Sequence, residues 1–246
     1  MRRGSFITAD LRSWSQYKTP RQNDALTPPS STTTCLMPRP QVHPTDTMLD
    51  AARDLLLDEG ARRATVEAIA EVSGAPTGSI YNRFGSRDEL FARLWVRAVY
   101  RSQASFLAAL ERDDPREAAL ACARSLIDFC KTHPEDARLL TTFRREDLMT
   151  AVPKGALADE LATLNDPLRR AVDQLAQRLY GTRARIALDR TLRAVFDLPY
   201  GAVRRYLIAG VDLPSGLLGD LELAVAAVLD APLRHTTRRP ARSGST

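Results

Sequence analysis

Residues 65–90 read TVEAIAEVSGAPTGSIYNRFGSRDEL. Two short helical patterns are broken by a glycine, stopped sharply, and followed by a strong helix start. That is the layout of a helix-turn-helix unit of the kind that reads duplex DNA. Thr65 is a good N-cap, because its hydroxyl can accept from an orphan amide of the first turn. Val66, Ile69 and Ala70 recur at helical spacing and give one apolar face. Gly74 stands where a chain leaving a helix needs positive φ, and Ala75-Pro76 resumes the chain. The spacing then predicts a helix over Thr77–Phe84, too short to be stable alone. Ile80 and Phe84 are the i,i+4 pair that can hold it by packing. Gly85 ends it, and Ser86 with Glu89 forms a capping box for the next helix.

With Ile80 and Phe84 inward, a turn of about 100° per residue sets Gly78, Ser79 and Asn82 on the opposite face. Thr77, Tyr81 and Arg83 flank it. Serine and threonine can meet base edges or thymine methyls, asparagine can pair bidentately with adenine, and a glycine permits close approach. The plainer alternative is a capped helix with a solvated polar face in any all-α protein. Periodicity does not separate the two.

Thr65–Leu90, with the apolar helix before it over Met48–Gly60, closely resembles the N-terminal domain of TetR-family transcriptional regulators. The matching features are AARDLLLDEG, TVEAIAEVSG and SIYNRFGSRDEL, with Tyr81, Phe84 and the Ser86–Leu90 cap at the family's spacing. The resemblance implies an all-α fold. A three-helix DNA-binding domain is joined by a fourth helix to a larger helical domain. It also implies a homodimeric repressor on palindromic double-stranded operator DNA, released when a small molecule enters the C-terminal domain. Carried onto this chain, Ser79 and Asn82 touch bases; Thr65, Tyr81 and Arg87 touch phosphates; Arg83 does either. Thr77 flanks the contact, and Gly78 lets the helix close in. Glu67 departs from the pattern, since an acid there repels phosphate unless it meets a cytosine amine. The family builds its dimer from the last two long helices, here about Arg185–Ala209 and Leu217–Leu229. Leu221, Val225, Val228 and Leu229, with Ala224 beside them, form the candidate stripe; the alternative is that it packs inside its own subunit. Effector identity, operator sequence and the sign of regulation, repressor or activator, stay open.

Alanine, leucine and arginine dominate the chain of 246 residues, and Val/Ile/Thr alternation is scarce. No apolar run approaches the ~18 residues of a membrane span, and no apolar signal core opens the chain, so a cytoplasmic protein without a membrane partner is expected. Three cysteines argue against a disulfide framework. Cys122 and Cys130 read as reduced core residues. The net charge of +5 misleads, because residues 1–44 hold six bases against two acids and residues 234–246 hold four arginines and no acid. The part between is net acidic, and residues 45–91 carry five bases against nine acids. The broad basic footprint that usually accompanies DNA binding is therefore missing, and attraction rests on placed bases such as Arg62, Arg63, Arg83 and Arg87. This acidic balance favours the rival reading, a helical interaction module with a vestigial helix-turn-helix.

Residues 1–43, rich in Ser, Thr and Pro, read as a disordered extension. Whether they belong to the natural chain stays open. The DNA-binding domain is expected over 44–104, an effector-binding and dimerisation domain over 105–233, and a basic tail over 234–246. Prolines punctuate the helices of the larger domain, and Pro199 is expected to kink or restart one. Its candidate pocket walls are Phe129, Cys130, Phe143, Phe196 and Tyr200, which equally suit a plain core. Their apolar bias suggests a hydrophobic effector. No HExxH, CxxC, GxSxG or P-loop spacing occurs. Neither a catalytic role nor a cofactor or metal site is expected.

Overall fold

The structure, a computed structural model, describes residues 45–151 and 153–233. The extension and the basic tail expected at the two ends lie outside the described residues. Every regular element among the described residues is helical. Two compact units emerge. The first ends at Arg97 and regains Leu139–Ala158; the second holds Ala98–Arg138 and the chain from Asp159 onward. Sequence punctuation suggests one boundary near residue 104. The chain instead crosses at 97/98, returns at 138/139 and crosses again at 158/159.

The first unit is built on α1 (Thr45–Glu59), α2 (Val66–Ser73), α3 (Thr77–Phe84) and the opening turns of α4 (Arg87–Leu110). Side-chain chemistry sets their ends. Thr65 Oγ1 accepts from the Ala68 amide at 3.2 Å and starts α2. Gly74 ends α2 at φ +68°, where a Cβ would be strained. Ser86 Oγ accepts from the Glu89 amide at 3.1 Å and starts α4. Met48, Leu56, Ile69, Ile80, Leu90, Phe91 and Leu94 are fully buried and form the core. Arg97 fastens α4 to α1, donating to Asp46 Oδ1 at 2.8 Å and Asp50 Oδ1 at 2.7 Å.

Beyond α4 come α5 (Pro115–Thr132), α6 (Pro134–Thr142), α7 (Arg145–Leu148), α8 (Ala156–Thr163) and α9 (Asp166–Tyr180). They are followed by α10 (Arg185–Leu192), a π turn (Arg193–Asp197), α11 (Leu198–Ala209) and α12 (Leu217–Asp230). Asp114 caps α5 by accepting from the Arg116 amide at 2.9 Å, and Pro115 sits in the first turn, where its missing amide costs nothing. Pro199 stands in the first turn of α11, directly after the π turn. The chain stays helical through Arg193–Asp197 by widening one turn, and α11 follows at once.

In the second unit α12 packs on α5, α10, α11 and the π turn. Arg116 reaches Asp230 at 2.7 Å, and Arg124 pairs with Glu222, so ion pairs line the α5–α12 seam. The stripe expected at a dimer interface is consumed here. Leu221, Val225 and Leu229 are buried within the single chain, Val225 completely. For these three residues the alternative holds, packing inside their own chain, whereas Val228 is half-buried and Ala224 is exposed. The opposite side of α12 is what stays open, with Leu223 72% exposed and Ala224 and Ala227 beside it.

Candidate nucleic-acid interface

Burial assigns the two faces of α3. Ile80 and Phe84 point into the core, while Gly78, Tyr81 and Asn82 are exposed and Thr77, Ser79 and Arg83 are half-buried. A Cβ added at Gly78 would meet nothing within 4 Å, so this glycine is not required by packing. It leaves the helix surface low between Thr77 and Asn82. Tyr81 is 46% exposed, so its ring and hydroxyl stand clear of the core. No side chain caps the α3 N-terminus, so its first amides remain available to an anion. Thr65 accepts from the Ala68 amide while staying exposed, which leaves its hydroxyl proton to donate outward.

Two of the expected bases are less available than their sequence positions suggest. Arg83 is half-buried, with one guanidinium nitrogen 3.8 Å from the Met48 sulfur. Arg87, expected at a phosphate, is turned toward the protein. Its guanidinium donates to the carbonyls of Ala64 at 3.0 Å, Ala61, and Leu148 at 3.5 Å. It also lies 4.3 Å over the Phe91 ring. Burial draws its pKa below the ordinary value, against the pull of Asp88. With three of its N–H groups on carbonyls of its own chain and its plane over the Phe91 ring, Arg87 is a scaffold residue in this structure. Arg62 and Arg63 are exposed on the α1–α2 turn, Arg63 in a loose pair with Glu59 at 3.7 Å. Glu67 and Glu71 are exposed on α2, so the acid noted in the sequence does face solvent.

Residues 48–94 match the family model described as bacterial regulatory proteins, tetR family. Over these residues the chain is similar to the N-terminal domain of the TetR family. Among curated proteins, the nucleoid occlusion factor SlmA of Glaesserella parasuis is 27% identical over 113 residues, which are 44% of this chain and 56% of SlmA. The chain thus spans about half the length of the curated relative it matches. Among solved structures, the TetR-family regulator PfmR of Thermus thermophilus is similar at TM-score 0.59 with 17% identity, covering 74% of this chain and 96% of PfmR. The fatty acid degradation regulator FadR of Bacillus halodurans gives 0.57 with 18% identity, covering 77% and 99%. FadR of Bacillus subtilis, solved with stearoyl-CoA, gives 0.57 with 13% identity, covering 75% and 96%. At these identities the structural likeness establishes the fold, an all-helical TetR architecture with an N-terminal helix-turn-helix. The matched model is one of bacterial regulatory proteins, and the matched residues include α2 and α3.

The pocket candidates divide between the units. Phe129, Cys130, Phe196 and Tyr200 are buried in the second unit, whereas Phe143 belongs to the first. Phe196, in the π turn, stacks on Phe106 with centroids 4.6 Å apart, and Phe129 packs against His133 at 5.8 Å. The Tyr200 hydroxyl is buried without a hydrogen-bond partner. Burial pushes the thiols of Cys122 and Cys130 up to about 12, so neither is a thiolate near neutral pH. No helix of the described residues is long and apolar enough to cross a membrane. Sequence reading missed Phe106, which aligns with Phe196 only in three dimensions. It also missed Leu139–Ala158, whose place in the first unit no local pattern announces.

Proposed function

We propose that this chain is a repressor that lays α3 in the major groove of a palindromic operator as a homodimer, and leaves it when a small apolar molecule enters the second unit. The observation that carries the DNA reading is the outward face of α3, where an open glycine, an exposed asparagine and an exposed tyrosine stand opposite the buried Ile80 and Phe84. Ser79 and Asn82 read base edges, Thr65, Thr77 and Tyr81 meet phosphates, and Arg83 serves either purpose. The uncapped amides of α3 supply a further phosphate contact. Arg87 leaves this list, because its guanidinium is turned inward onto three backbone carbonyls. Attraction then comes from few cations, so binding is selective and moderate in salt dependence.

Two half-sites about one helical turn apart need two reading helices in one particle. The open side of α12 at Leu223, Ala224 and Ala227, together with Ile208 on α11, supports a dimer seam formed there. For the effector, the lone Tyr200 hydroxyl and the Phe106–Phe196 stack support a site within the second unit for an apolar molecule carrying one hydrogen-bonding group. Phe143 is not part of it. A gel-shift assay with the DNA immediately upstream of the gene tests the central claim. Specific, salt-sensitive retardation is expected, and retardation equal to that of unrelated duplex would overturn it.

A further inference from the structure

The first unit is not finished by the reading helices. Leu139–Ala158 joins it from about sixty residues downstream, and the contacts that hold this strap are specific. Asp88, in the first turn of α4, accepts three hydrogen bonds from it: Thr150 Oγ1 at 2.7 Å, the Ala151 amide at 2.9 Å and the Thr150 amide at 3.2 Å. The adjacent Arg87 reaches the Leu148 carbonyl with one nitrogen and the Ala61 and Ala64 carbonyls with the others. Leu148, Pro153 and Leu157 are buried, Leu148 to 1% exposure. Yet α7 has four residues and could not hold itself together. The strap is ordered by what it docks on.

We infer that Arg87 and Asp88 are positioning residues for DNA reading: they clip the strap to α4 and to the turn before α2, and the docked strap holds α2 and α3 in the posture that fits a groove. Two facing directions make the pair a clip. Arg87 looks toward the Ala61–Ala64 turn that leads into Thr65, the cap of α2, and Asp88 looks toward Thr150. Undocking the strap removes the Leu148 acceptor from Arg87 and the buried Leu148 side chain from the unit at once. The turn carrying Arg62 and Arg63 then loses its fixed support, and the reading helices lose a rigid base. Neither residue touches DNA. This inference rests on the DNA reading proposed above.

The test uses the full chain and the duplex that the wild-type protein enriches from a random-sequence library. Amide exchange is followed over residues 144–151 and 61–84, and affinity is measured for Asp88→Ala and Thr150→Val. Thr150→Val keeps the carboxylate and removes one hydroxyl, so it serves even if Asp88→Ala folds poorly. Both variants should exchange faster over 144–151 and over 61–84. Affinity should fall roughly fivefold or more with sequence preference unchanged, the size expected of coupling between separate sites. Faster exchange of the strap with affinity intact would overturn the inference. So would a strap whose protection neither substitution disturbs. If the wild-type protein enriches no duplex, the DNA reading itself fails, and the clip is then judged on exchange: unchanged protection over 61–84 in both variants would end it.

Discussion

At the scale of single residues, availability divides the arginines of the reading unit more sharply than identity does. Asn82 is exposed on α3, so truncating it removes a contact without disturbing the core. Asn82→Ala should shift the preferred base at one operator position by about 1–3 kcal/mol, read by competition between single-base variants of the enriched duplex. A uniform loss across all sequences would instead make Asn82 a phosphate contact. Arg87→Ala should act through stability. Its guanidinium serves carbonyls of three separate segments and lies over Phe91, so its loss should lower stability by about 1.5–3 kcal/mol, visible as a reduced denaturation midpoint without DNA. Arg87→Lys should not restore it, because one ammonium cannot fork to Ala61 and Ala64 together. Asp88 sets a pH limit. Burial raises its pKa, but the Thr150 hydroxyl, the Thr150 and Ala151 amides and Arg87 outweigh that and hold it below the ordinary carboxylate value. A depressed carboxylate stabilises above its unfolded pKa and is lost as pH falls through its folded one. Exchange protection over 144–151 should therefore be flat through neutral pH and collapse only below the usual aspartate range. Loss of protection already near pH 6 would mean that another group holds the strap.

At the scale of elements, the helices of the first unit were legible because their ends are marked by local chemistry. Thr65, Gly74, Gly85 and Ser86 bracket α2 and α3, and each acts on a neighbour a few residues away. The outward face of α3 was legible for the same reason, since one buried pair fixes the rotation of a short helix. Three features were not. The partners of Arg87 are backbone carbonyls, which carry no sequence signature, so by resemblance alone its position points to phosphate. The strap has no periodicity, and its bonds to Asp88 span 62 and 63 residues. On α12, periodicity shows that Leu221, Val225 and Leu229 share a face but not what covers it. The structure supplies that answer, and with it a paired prediction. Leu221→Ala should cost roughly 2–5 kcal/mol of stability while leaving the association state unchanged. Leu223→Glu, on the open side, should leave the fold within about 0.5 kcal/mol and yield a monomer by sedimentation. A dimer that survives Leu223→Glu would move the seam away from α12.

At the scale of the whole molecule, sequence punctuation suggests domains strung one after another, but the compact units share the chain in alternation. Prolines and glycines mark where helices stop, not which helices pack together, and so they could not reveal that the first unit takes back Leu139–Ala158. This arrangement has a consequence in time. A ribosome adds about 5–20 residues per second, so Thr150 is made some 3–12 seconds after Asp88. Through that interval the nascent chain carries its reading helices without the segment that braces them. The first unit emerges from synthesis unbraced and is finished only once Leu139–Ala158 has been made.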